Sequence, residues 1–156
     1  MQTEQFFDTI RKGDALAVTQ IITDNQALLH VKDSRGSTPL VLATYYGHLE
    51  VTKALLTLGA KVDDKDSSGN TALLGVCFKG YNEIAKLLID SGADVNHKNA
   101  MGATALIYAV TFNQLEIVKT LLSNGADTTI TDSHGKTALD YAKAKGIAEI
   151  IQLLEN

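Results

Sequence analysis

Few side chains in this 156-residue chain could carry out chemistry: one cysteine, Cys77, and four histidines, His30, His48, His97 and His134. A cysteine nucleophile needs a nearby cation or base to hold it as thiolate. Lys79 is the one sequence-local candidate beside Cys77. A helical metal site needs ligands at i+3 or i+4. No histidine here has a second His or Cys at either spacing. The chain also lacks G-x-S-x-G, a P-loop and G-x-G-x-x-G, the turns that present a nucleophile or cradle a phosphate. The expectation is a non-enzymatic protein with no catalytic residue, cofactor or metal.

Composition narrows the classes further. Hydrophobic residues make up 45% and charged residues 21%, as in a soluble globular protein. The net charge of −4, with no basic run longer than Arg11-Lys12, disfavours a nucleic-acid partner. A lone cysteine excludes an intrachain disulfide. The opening residues MQTEQFFDTIRKGD do not read as a signal peptide. No apolar stretch approaches the roughly 18 residues of a membrane span. One domain, a cytoplasmic location, no membrane partner and a monomer are the expected setting.

The elements that would position any site are set by an internal repeat. DSRGSTPL at Asp33, DSSGNTAL at Asp66, NAMGATAL at Asn99 and DSHGKTAL at Asp132 recur every 33 residues. GHLEVTKALL, GYNEIAKLLI, NQLEIVKTLL and GIAEIIQLLE then align without gaps. Asp or Asn followed by Gly three residues later predicts a type I turn. Thr38, Thr71, Thr104 and Thr137 fall where a helix N-cap belongs, and Pro39 falls at the first helical position. Apolar residues at 40, 43 and 44 predict one buried stripe. Gly47, Gly80 and Gly146, with Asn113 in the remaining unit, should end that helix in the left-handed region. A second amphipathic helix follows, closed by Gly59, Gly92 and Gly125. Such a unit cannot bury its apolar face alone and must stack on its neighbours.

The 33-residue period and the T-P/A-L motif resemble the ankyrin repeat family, across nearly the whole chain. The resemblance implies an all-α solenoid of stacked helix-turn-helix units with short β-hairpin tips. The expected organisation is an N-terminal cap over 1–32, repeats over 33–65, 66–98 and 99–131, and a C-terminal capping repeat over 132–156. Glu155 stands where the other units carry Leu56, Ile89 and Leu122, which suits a polar end face. Most members of the family carry a histidine after T-P-L that bonds to a neighbouring hairpin. Here Val41, Leu74, Ile107 and Asp140 stand instead, so some hairpin carbonyls need another partner.

Framework positions repeat, whereas a functional surface should vary between units. Variation concentrates at the tips and at the end of each unit's first helix. In ankyrin proteins, by resemblance, these two strips line a concave partner-binding groove. The candidate contacts are Arg35, Ser37, Tyr45, Tyr46, Ser68, Asn70, Phe78, Lys79, Met101, Phe112, His134 and Lys136. Four of the nine Phe and Tyr residues gather on one strip, and aromatics are enriched at interface hot spots. Tyr45 is expected beside Phe78, and Tyr46 near Lys79 with Phe112 one repeat beyond. Tyr108 and Tyr141 are read as framework residues, and Cys77 as a small semi-buried one. Glu50-Lys53, Glu83-Lys86 and Glu116-Lys119 are read as a solvated face of weak ion pairs.

The resulting reading is a module that binds a partner protein in its concave groove. The competing readings are an enzyme-associated or small-molecule role using Cys77 or the histidines, and a structural scaffold that makes contacts through its helical back.

Overall fold

A computed structural model describes residues 2–156. Ten α-helices, and no strand, are present among the described residues. They pair as α1 (Gln2–Lys12) with α2 (Ala15–Asp24), α3 (Pro39–Tyr45) with α4 (Leu49–Thr57), α5 (Ala72–Lys79) with α6 (Asn82–Asp90), α7 (Ala105–Thr111) with α8 (Leu115–Ser123), and α9 (Ala138–Lys145) with α10 (Ala148–Glu155). A 3-10 turn over Gln26–His30 fills the first long loop. The first helices α1, α3, α5, α7 and α9 stack in one layer, and the second helices α2, α4, α6, α8 and α10 stack in another.

Local rules account for the ends of the first helix in most repeats. The side-chain oxygens of Thr38 and Thr104 accept hydrogen bonds from the backbone N–H of Val41 (3.2 Å) and Ile107 (3.3 Å). Thr137 and Asp140 form a reciprocal capping box. Thr71 departs from the pattern, for its hydroxyl is buried with no partner among the described residues. At the helix C-termini, Asn113 adopts φ +54° in the place of its sister glycines. An amide side chain tolerates this region better than other residues do.

The core is continuous along the stack. Phe6, Ile10, Leu40, Leu55, Leu73, Leu88, Leu106, Leu121 and Ile150 are fully or almost fully buried. Short second contacts hold the register between units. The His48 ring lies so close over Gly13 that a Cβ there would stand 2.7 Å from Nδ1. Its Nε2–H donates to the Arg11 carbonyl at 2.7 Å. Tyr81 covers Gly47 in the same way.

The tips are turns rather than hairpins with regular strands. Gly36 N–H donates to Asp33 O at 3.0 Å, and Asp33 N–H to Ser37 O at 3.0 Å. Successive tips are tied by one backbone bond each: Ser67 to Arg35 (3.4 Å), Ala100 to Ser68 (3.0 Å) and Ser133 to Met101 (2.9 Å). A single bond per neighbour makes a chain of tips without the repeated ladder that defines a sheet. The missing family histidine also finds a substitute at one tip, where His97 Nε2–H donates to the Gly69 carbonyl at 2.8 Å.

Gly102 illustrates what these tips demand. It adopts φ +72°, and a Cβ there would stand 3.2 Å from the Ser133 nitrogen. Gly102→Val should therefore cost about 1–3 kcal/mol from backbone strain alone. Ala100→Val, at an exposed neighbour, should cost little. Urea midpoints measure both, and equal midpoints would contradict the strained turn.

Candidate functional site

The concave side of the first-helix layer and the tips enclose a groove of about 1010 Å³. Its floor is the exposed end of α3, α5 and α7, and its rim is the line of tips. The Asp-x-x-Gly turns build that rim identically in each unit. Asp33 Oδ1 accepts from Arg35 and Ser37 N–H, and Asp66 Oδ1 from Ser68 and Asn70 N–H. Asn99 Oδ1 accepts from Met101 and Ala103, and Asp132 Oδ1 from His134 and Lys136. One side-chain oxygen thus fixes each tip, and the second polar atom of that side chain is left for other contacts.

The aromatic strip is present, with neighbours that differ from the expected ones. Tyr45 and Tyr46 meet edge to face at 5.6 Å. Phe78 and Phe112 meet edge to face at 4.6 Å, and Tyr108 meets Phe112 at 6.0 Å. The Lys79 ammonium sits 4.6 Å above the Tyr45 ring, not the Tyr46 ring. Tyr46 instead stacks on His48 at 6.2 Å. Consecutive residues at a helix end diverge by about 100°. Tyr46 is therefore turned back toward its own unit's short turn, while Tyr45 points along the stack toward α5. The cation over the ring adds a modest attraction at an exposed site.

Tyr45, Tyr46, Phe78, Met101 and Phe112 are all exposed, at 41% to 55%. Arg35, Ser68, Asn70 and His134 also line the groove. Of the remaining candidates, Ser37 lines the groove but is buried, and two lie outside the lining. Ser37 is buried at 9% exposure, because its backbone closes the Asp33 turn on both sides. Lys79 and Lys136 lie outside the groove lining. Lys79 is drawn onto Tyr45, and Lys136 points from the tip into solvent.

Cys77 is fully buried rather than semi-buried, and burial pushes its thiol up, away from the reactive thiolate. His48 and His97 are engaged with backbone carbonyls. No cluster of three metal-ligating side chains occurs among the described residues. No described helix is long and apolar enough to cross a membrane. On the solvated back, Lys53 pairs with Glu50 at 3.1 Å and Lys119 with Glu116 at 3.2 Å. The Glu83-Lys86 pair does not form among the described ion pairs.

Sequence reasoning missed one feature of the groove. Position nine after each turn residue holds Leu42, Gly75, Tyr108 and Tyr141. Tyr141 donates its hydroxyl to Asp132 Oδ2, and Asn99 Nδ2–H donates to the Tyr108 hydroxyl oxygen at 2.8 Å. Burial opposes the charge on Asp132, yet the Tyr141 hydroxyl and the backbone amides of Lys136 and His134 hold its carboxyl below the usual range. At Gly75 there is no side chain, and nothing lies within 4 Å of where a Cβ would stand. Gly75 lies inside α5, where glycine costs about 1 kcal/mol relative to alanine. A glycine between tyrosine- and leucine-bearing sisters was the legible signal.

Comparison with known proteins agrees with the repeat. Residues 6–99, 48–132 and 75–156 match the family model described as ankyrin repeats. A Rickettsia bellii protein named for its ankyrin repeats is 39% identical over 46 residues, 30% of this chain. The serine/threonine-protein kinase VIK of Arabidopsis thaliana is 37% identical over 52 residues, 33% of this chain. The matched segments span only 14% and 12% of those two proteins.

Proposed function

We propose that this chain, which belongs to the ankyrin repeat family, is a non-enzymatic module that binds a partner protein in its concave groove. Repeats of this family are in general protein–protein interaction modules, and the groove gives this one a specific surface. The observation that carries the reading is the exposure of five large apolar side chains in one groove, Tyr45, Tyr46, Phe78 and Phe112 on its floor and Met101 on its rim. Large apolar side chains left exposed together on one face mark interaction surfaces. The rings are already paired edge to face, so little rotamer freedom is lost when a partner covers them. Arg35, Ser68, Asn70 and His134 supply a polar rim, as specific interfaces require. The stacked helix pairs work as a single monomeric domain.

Affinity capture from the native cell, read by mass spectrometry, tests the reading. The wild type is compared with Tyr45→Ala/Phe78→Ala and with Glu50→Ala/Lys53→Ala on the back. The groove variant should lose a specific partner that the back variant keeps. The reverse pattern would move the interface to the helical back and sink the groove.

A further inference from the structure

The groove contains a slot that its own repeat pattern leaves empty. In the unit starting at Asp132, the ring of Tyr141 lies between helix and tip, with its hydroxyl on Asp132 Oδ2. In the unit starting at Asn99, Tyr108 lies the same way, against Asn99. In the unit starting at Asp66, the turn is built alike, with Asp66 Oδ1 accepting from Ser68 (2.9 Å) and Asn70 (3.0 Å). Its Oδ2 receives no hydrogen bond among the described residues, because Gly75 stands where the tyrosine would be. The space above Gly75 is open to 4 Å, and Asp66, Thr71 and Gly75 all line the groove there. Thr71 is 1% exposed, and its hydroxyl is the one buried side-chain oxygen or nitrogen without a partner among the described residues. A buried hydroxyl left unpaired is costly, and so is an interior helix glycine. Both occur one turn apart at the start of α5, where the Gly75 N–H donates to the Thr71 carbonyl.

Building on the groove reading above, we propose that the slot over Gly75 takes a tyrosine side chain presented by the partner protein. Its ring lies between Leu42 and Tyr108, the residues at the corresponding positions of α3 and α7. Its hydroxyl donates to Asp66 Oδ2, as Tyr141 does to Asp132. The partner ring thereby extends a row of ring-to-turn contacts that the chain itself supplies in its last two units, to the Asp132 carboxylate in one and to the Asn99 amide in the other. A phenylalanine fills the slot without satisfying the carboxylate. A phosphotyrosine is repelled, because its phosphate would face the Asp66 anion.

A titration of the full chain followed by 1H–15N NMR tests this. The probes are N-acetyl-tyrosinamide, N-acetyl-phenylalaninamide and the phosphorylated tyrosine derivative. The tyrosine probe should shift the amides of Ser68, Asn70 and Gly75, and should bind at least threefold more tightly than the phenylalanine probe. The phosphorylated probe should give no saturable shift there. Gly75→Tyr should abolish the response by filling the slot from within, and should melt above Gly75→Phe, which lacks the hydroxyl. Gly75→Ala, whose methyl meets open space, should keep the fold and weaken the tyrosine response. Equal binding of the tyrosine and phenylalanine probes, tight binding of the phosphorylated one, or an undiminished response in Gly75→Tyr would each overturn the proposal. Shifts confined to Phe78 and Phe112 would also overturn it while leaving the wider groove intact. Failure of the groove itself would be seen separately, in the capture experiment with Tyr45→Ala/Phe78→Ala.

Discussion

Leu88→Ala should unfold at a far lower urea concentration than Lys86→Ala. Leu88 is 0% exposed in α6, the second helix of a central unit. That helix packs on α5 of its own unit and on α4 and α8 of the units to either side. Truncating a buried leucine removes its transfer free energy and leaves a cavity, at a cost of about 2–5 kcal/mol. In a stacked array the loss reaches two interfaces at once, because each unit is held mainly by its neighbours. Lys86 is exposed, two residues away on the same helix, and makes no ion pair among the described ones. Exposed substitutions of this kind stay within about 0.5 kcal/mol. For a domain stable by about 5–15 kcal/mol, the first change is a large fraction of the whole. Circular dichroism against urea reads the difference, and coincident midpoints would refute the assigned register.

Phe78→Ser/Phe112→Ser should weaken partner binding about thirtyfold or more, the effect of losing an aromatic anchor of about 2 kcal/mol. The same variant should keep most of its stability. Both rings are more than two-fifths exposed, at 44% and 41%. What they give the free protein includes two edge-to-face contacts, with each other at 4.6 Å and from Phe112 to Tyr108 at 6.0 Å, each pair contributing about 0.5–1.5 kcal/mol beyond its area. A fully buried phenylalanine would instead cost about 3–5 kcal/mol on truncation. Thermal melts separate the two cases before a partner is in hand. A melting loss of the larger size would move Phe78 and Phe112 into the packing framework. The aromatic groove would then lose its central anchor.

The repeat, the helix pairs and the tips were legible in the sequence because they rest on short-range rules. Asp-x-x-Gly closes a turn through bonds within five residues, as Asp33 and Gly36 do. A threonine before an apolar run caps the helix it begins, as Thr38, Thr104 and Thr137 do. The requirement for a left-handed residue after the first helix of each unit was legible too, even where Asn113 serves. These interactions span fewer residues than one repeat, so the turns recur in all four units and the threonine cap in three of them.

What lies between units was decided only by the tertiary structure. Both Lys79 and the tyrosines could be placed on one strip from their spacing. Which ring the ammonium covers depends on the direction of each side chain at a helix end and on the stacking of the next helix. The sequence offset of 33 residues carries no information on either. The burial of Ser37, the pairing of Phe78 with Phe112 and the bond from His97 to Gly69 are of the same kind. Gly75 shows the division most sharply. Its letter was visible and its helix was foreseen. That it leaves open space in a groove also lined by Asp66 and Thr71, whose Oδ2 and hydroxyl have no partner among the described residues, follows only once three helices are packed side by side. A missing side chain makes no contact of its own, so its consequence lies wholly in how the neighbours stand around the space.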